Sequence, residues 1–169
     1  MDRPHLIAQL ERHAAVFRDL LKDLSAEEAR WRPAPEKWCP LEIICHLHDE
    51  EREDFRARLR STLENPEVPW PTIDPAAWVT GRRYMEKDPT ATLDGFLAER
   101  GASLSWLRGL DQAPWTNVYI HPKVGPVSCE LLLTNWVAHD LHHIRQLINW
   151  RYAHLKAHTT VPLDYAGTW

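Results

Sequence analysis

The fold is decided by the stretch Leu132-Leu133-Thr134-Asn135-Trp136-Val137-Ala138-His139-Asp140-Leu141-His142-His143-Ile144-Arg145-Gln146-Leu147-Ile148-Asn149-Trp150. At about 100° per residue, Leu132, Trp136, His139, His143, Leu147 and Trp150 fall within roughly 80° of one another. The spacing predicts an amphipathic helix with Ser128 as its N-cap and an end near His154. Its two imidazoles at i and i+4 stand one turn apart on the apolar face, so they point into a bundle.

Working outward, the rest of the chain supplies partners of the same kind. Leu6, Leu10, His13, Ala14, Phe17, Leu20, Leu21 and Leu24 predict a first helix from about Pro4 to Leu24. Ser25-Ala26-Glu27-Glu28 reads as a capped turn, and Pro33, Pro35 and Pro40 forbid a continuous helix. Cys39, Pro40 and Glu42 form a capping-box pattern with Cys in place of Ser. It opens a second helix through Leu41, Ile44, Leu47, Phe55, Leu59 and Leu63 to about Glu64. Residues 65–88, with Pro66, Pro69, Pro71 and Pro75, read as a long crossover holding one short helix around Pro75 to Met85. Asp88-Pro89 starts a third long helix whose stripe is Leu93, Phe96, Leu97, Arg100, Leu104, Leu107 and Leu110. Val118-Tyr119-Ile120 and Val124 flank His121-Pro122-Lys123, a short hairpin ahead of the last helix. Four long helices with one crossover between the second and third give an all-α four-helix bundle, one domain over residues 1–169.

Bulk properties narrow the function. The chain has 169 residues, 44% hydrophobic and 26% charged, with a net charge of -4, enough for a packed core without disulfides. Mild acidity and the lack of a basic run argue against nucleic acid as a partner. Cys39, Cys45 and Cys129 cannot all pair and show no CxxC spacing, which suits a reducing compartment. With no apolar leader at the N-terminus and no run of 18 apolar residues, the expectation is a cytoplasmic protein that does not engage membranes.

Against this background 10 histidines and 9 tryptophans stand out. His139 and His143 have the spacing that lets two nitrogens reach one metal ion near 2.0–2.1 Å. The bland alternative is a pair of hydrogen-bonded core histidines. For a third ligand the second helix offers His46 or His48, which cannot face the same way; periodicity favours His48, lying among Leu41, Ile44, Phe55 and Leu59. Glu50, one turn beyond His46, is the candidate catalytic residue, either orienting a ligand or acting as general base. Its competing reading is a solvated carboxylate in the run Asp49-Glu50-Glu51. Asp140 and Arg145 read as surface charges. Gln146, His48, His121 and His142 are candidate neighbours of the ligands. Trp136 and Trp150 read as packing, and Trp31, Trp38 and Trp115 as walls of the metal end. Cys45 points about 100° away from His46 and is not counted as a ligand.

Trp38-Cys39-Pro40-Leu41-Glu42-Ile43-Ile44-Cys45-His46-Leu47 resembles the second-helix signature of the DinB-like superfamily, and Ala138-His139-Asp140-Leu141-His142-His143-Ile144-Arg145-Gln146-Leu147 resembles its last-helix signature. Asp74-Pro75-Ala76-Ala77-Trp78, Asp88-Pro89-Thr90 and Tyr119-Ile120-His121-Pro122 extend the resemblance along the whole chain, closest to the YfiT-like metal-dependent hydrolases. It implies a four-helix bundle, commonly homodimeric, with a divalent ion, zinc or nickel, held by His46, His139 and His143. His48 stands where the family usually has a small residue, which leaves three places for it: lining the pocket, packing in the core, or displacing His46. Three neutral imidazoles leave a metal with an open position, a site built for chemistry. The resemblance thus implies a hydrolase acting on a small molecule. The alternatives are a thiol-dependent transferase or isomerase, and a non-catalytic metal-binding dimer in a stress response.

Overall fold

A computed structural model describes residues 2–169. Helix α1, Arg3–Leu21, begins where the Asp2 carboxylate accepts from the His5 N–H at 2.9 Å, and buries Ile7, Leu10, His13, Phe17 and Leu21. It stops short of Leu24 because Ser25 and Glu28 cap each other reciprocally, at 2.8 and 3.2 Å, and turn the chain into a single 3₁₀ turn.

The second helical run is not regular. Helix α2, Pro40–Glu50, passes through a π-helical turn, Glu51–Phe55, into α3, Arg56–Glu64. Cys39 donates its N–H to Glu42 Oε2 at 3.0 Å, the backbone half of the expected capping box. The π turn takes in an extra residue, so side chains beyond it are rotated by about 100° relative to a straight helix. Residues 40–50 are all buried except His48, which is half-buried. A helix covered on several sides has no single apolar stripe.

Helix α4, Pro75–Gly81, is capped by Asp74 and ends earlier than the expected Met85. Arg83 takes a left-handed conformation at φ 51°, after which Tyr84–Glu86 form a 3₁₀ turn. That backbone costs on the order of 1 kcal/mol for a non-glycine. It carries Tyr84 into the core, where its hydroxyl donates to Asp49 Oδ2 at 2.7 Å. Helix α5 spans Pro89–Arg108, strands β1 (Val118–His121) and β2 (Gly125–Ser128) form the antiparallel hairpin, and α6 spans Cys129–Ala157. Ser128 caps α6 through Leu131 N–H at 3.1 Å, as its position predicts. Among the described residues no helix is long and apolar enough to cross a membrane.

The core has two apolar clusters. One gathers Phe17, Ile44, Leu47, Phe96 and Leu147; the other gathers Leu10, Leu59, Leu104, Leu133 and Trp136. On every long helix the residues of one cluster are separated from those of the other by a buried polar side chain: His13, Glu51, Arg100 and Asp140. These four meet. Arg100 is 1% exposed and donates to Glu51 at 2.9 Å and to both Asp140 oxygens at 2.7 and 2.8 Å; His13 Nδ1 lies 3.2 Å from Asp140. Trp136 Nε1 adds a bond to Glu51 at 3.1 Å. Asp140 is therefore not a surface charge: the guanidinium draws it into the core and holds its carboxyl below the usual range.

Gly95 on α5 is a packing choice made by His48. A Cβ built there would meet His48 Cε1 at 2.9 Å. Gly95→Ala is expected to be neutral to destabilising in the wild-type chain, but stabilising by about 1 kcal/mol in a His48→Ala background, where only helix propensity remains. Denaturant melts of the double-mutant cycle check this; equal effects in both backgrounds would sink it.

Candidate metal centre

Two rigid helices carry the site. α2 presents His46, and α6 presents His139 and His143 one turn apart. His139 Nε2 lies 3.3 Å from His46 Nε2 and 3.1 Å from His143 Nε2, and one ligand atom from each residue lies within 4.8 Å of the others. Nitrogens about 2.05 Å from a tetrahedral ion are about 3.3 Å apart, so the spacing fits one small divalent cation.

The three rings are held neutral. Burial, and then the charge of His143, pushes His46 and His139 down to about 3; burial takes His143 to about 4 against the opposing pull of Gln146. Gln146 Oε1 lies 2.8 Å from His143 Nδ1, which puts the proton on that nitrogen and leaves Nε2 free to ligate. Trp38 packs 5.0 Å from His46 and lies parallel to His143 at 6.4 Å; Phe55, delivered by the π turn, covers His139 at 5.0 Å.

Glu50 is no solvated carboxylate. Asp49, Glu50 and Glu51 are all buried, each facing a different partner. Glu50 Oε1 stands 3.9 Å from His46 Nδ1, an atom buried without a hydrogen bond, on the side of the ring away from Nε2. Burial, and then Asp54 beside it, pushes its carboxyl up to about 8. It stands behind His46 and does not line the cleft.

The cleft itself, about 810 Å³, opens onto the three histidines and is lined by Trp38, His142, Arg145, Gln146 and Trp150. His142 is at the mouth, its ring 5.0 Å from that of His143. Arg145 is exposed on the rim, as a surface charge should be. His48 is not brought to the cluster. It packs against Gly95 and lines a separate cavity with Arg52 and Tyr84, so the wheel preference for it is corrected in favour of His46. His121 is not there either: its Nδ1 accepts from Lys123 and Val124 N–H groups at 3.1 and 3.3 Å, fixing the hairpin turn. Trp115 lines a cavity with Ile7 and Leu107 and is not a wall of the cluster. Trp31 lies behind Trp150, whose Nε1 donates to its carbonyl at 2.9 Å. Cys45 faces the Tyr84 carbonyl, and burial pushes its thiol up to about 12. Sequence reasoning missed the Arg100 network, although an arginine within the α5 stripe and a histidine within the α1 stripe both signalled buried charge.

In fold the chain is similar to YfiT from Bacillus subtilis, "a probable metal-dependent hydrolase with an unusual four-helix bundle topology": TM-score 0.78 and 19% identity, over 88% of this chain and 85% of that one. It is also similar to a conserved protein from Enterococcus faecalis, with TM-score 0.60 and 15% identity over 90% and 96% of the two chains. No curated protein matches it by sequence. The family model of the DinB superfamily, in contrast, matches residues 9–147, from within α1 to within α6, and the chain belongs to that superfamily.

Proposed function

We propose that His46, His139 and His143 hold one divalent ion, zinc or nickel, and that the protein is a metal-dependent hydrolase of a small molecule bound in the adjoining cleft. The observation that carries this is the convergence of three Nε2 atoms, each on a neutral, buried or half-buried imidazole, at the floor of an open cleft. The likeness in fold to YfiT agrees with it. An ion with three neutral ligands polarises a carbonyl or ester and makes water nucleophilic near neutral pH. The chain's own contribution is positional. Gln146 holds the proton on His143 Nδ1, the Glu50 carboxyl is the group within reach of His46 Nδ1, and Trp38 and Phe55 shield the rings from water. Glu50 is thus a positioning residue in this proposal. A homodimer also belongs to it, supported by Leu141, Ile148 and Leu155 exposed at seven-residue steps along α6; sedimentation velocity showing only monomer would remove it.

The test is metal analysis of the purified chain together with turnover of ester, amide and thiol-conjugate panels by wild type and His143→Ala. Stoichiometric metal and ester or amide cleavage, both lost in the variant, support the reading. Turnover of thiol conjugates alone would replace hydrolase with transferase, and no bound metal would end it.

The depressed histidines give the metal-free protein a pH signature. Their folded values, about 3, 3 and 4, lie below the unfolded value near 6.5, so between these limits the unfolded chain binds more protons and stability falls on acidification. Glu50, raised to about 8, acts in the opposite sense between pH 4.5 and 8 but is one group against three. Urea melts of the chelated protein are expected to lose on the order of 1–3 kcal/mol per pH unit from pH 6.5 to 4.5. A flat profile would contradict the burial of neutral imidazoles.

A further inference from the structure

The cleft over the histidines is not evenly charged. Trp38 and Trp150 give it apolar walls, while Arg145 and Lys37 place cations at its edge against a single lining carboxylate, Glu36, in a chain whose net charge is -4. Several other arginines are paired with carboxylates. Arg52 and Arg82 are paired with Asp49 and Glu53, and Arg100 with Glu51 and Asp140. Arg145 is different: its Nη2 stands 3.3 Å from His142 Nδ1, and among the described residues no carboxylate meets it. His142 thereby steers the guanidinium without neutralising it. Two residues after His143 on α6, the arginine leaves the helix about 200° round from that imidazole and reaches the cleft at its rim.

We propose that Arg145 anchors an oxyanion, a carboxylate or a phosphate, on a substrate whose apolar body lies against Trp38 and Trp150. The assignment rests on the reading of this cleft as the hydrolase site and names its substrate class: small amphiphilic organic anions. A guanidinium offers two parallel N–H donors that match either oxyanion. A neutral substrate filling the same cleft would strip water from Arg145 and return no charged partner, which disfavours it. The aromatic walls contribute the apolar contact that a small anion by itself does not make.

Calorimetric titration of the zinc-loaded full chain tests this with three probes: N-benzoylglycine, its neutral amide N-benzoylglycinamide, and phenyl phosphate. Wild type, Arg145→Gln and Arg145→Lys are compared, with zinc measured in every sample. Wild type is expected to bind at least one anion about tenfold or more tightly than the amide. Arg145→Gln should lose that preference with its zinc content unchanged, and Arg145→Lys should restore it in part. The tighter of the two anions identifies the headgroup. Equal binding of N-benzoylglycine, phenyl phosphate and the amide, or anion binding indifferent to Arg145→Gln, would overturn the proposal, the latter by showing that the anion sits on zinc alone. Absence of zinc from wild type with anion binding still dependent on Arg145 would sink the hydrolase reading and leave the anchor standing.

Discussion

His139→Ala is expected to leave the purified protein with little or no divalent ion. His139 is the common neighbour of the cluster, 3.3 Å from His46 Nε2 and 3.1 Å from His143 Nε2, so its loss leaves two nitrogens on different helices with nothing between them. Loss of a mere supporting hydrogen bond costs roughly 10–100-fold in metal affinity, and loss of a ligand costs more. Metal content by mass spectrometry after dialysis at micromolar protein reads this directly. The fold should survive. Burial already penalises the charged form of this ring, so the metal-free variant gains relative stability below pH 6.5 while losing only half-buried packing. Full metal content in His139→Ala would refute the ligand set.

The second large effect concerns stability. Arg100→Met is expected to destabilise the chain by about 3–5 kcal/mol, because it leaves the Glu51 and Asp140 carboxylates buried without their counter-charge. The Leu10 carbonyl, 3.1 Å from Arg100 Nη1, loses its bond as well. Replacing Arg100, Glu51 and Asp140 together by apolar residues of similar volume should recover most of that loss, since the penalty lies in unpaired charge more than in missing attraction. Denaturant unfolding of both variants separates these terms. A loss below about 1 kcal/mol in Arg100→Met would mean that water enters the layer.

Much of this was legible in the sequence, and the misses have physical causes. The i,i+4 histidines, the Asp-Pro and Ser caps and the hairpin around His121 were local patterns, and local patterns were sufficient. The choice between His46 and His48 was not local. A helical wheel puts His48 with Leu41 and Ile44 whether or not Phe55 and Leu59 beyond the π turn are counted, but residues 40–50 are buried nearly all round, so no single apolar stripe marks the face that meets α6. Motif spacing from Trp38 does not depend on a stripe, and it singled out His46, the residue that the structure brings to the cluster. The acidic run misled for another reason. Asp49, Glu50 and Glu51 follow one another in sequence but point to Tyr84 and Arg82, to His46, and to Arg100, partners that only tertiary structure supplies.

An apolar core tolerates a helix sliding by one turn, about 5.4 Å, because leucine then meets leucine again. The layer of His13, Glu51, Arg100 and Asp140 does not, since one guanidinium must meet carboxylates from two different helices at a single height. Glu51 lies five residues after His46, and Asp140 directly follows His139. The index mark that sets the vertical alignment of the helices therefore also sets the level at which the imidazoles of α2 and α6 face one another.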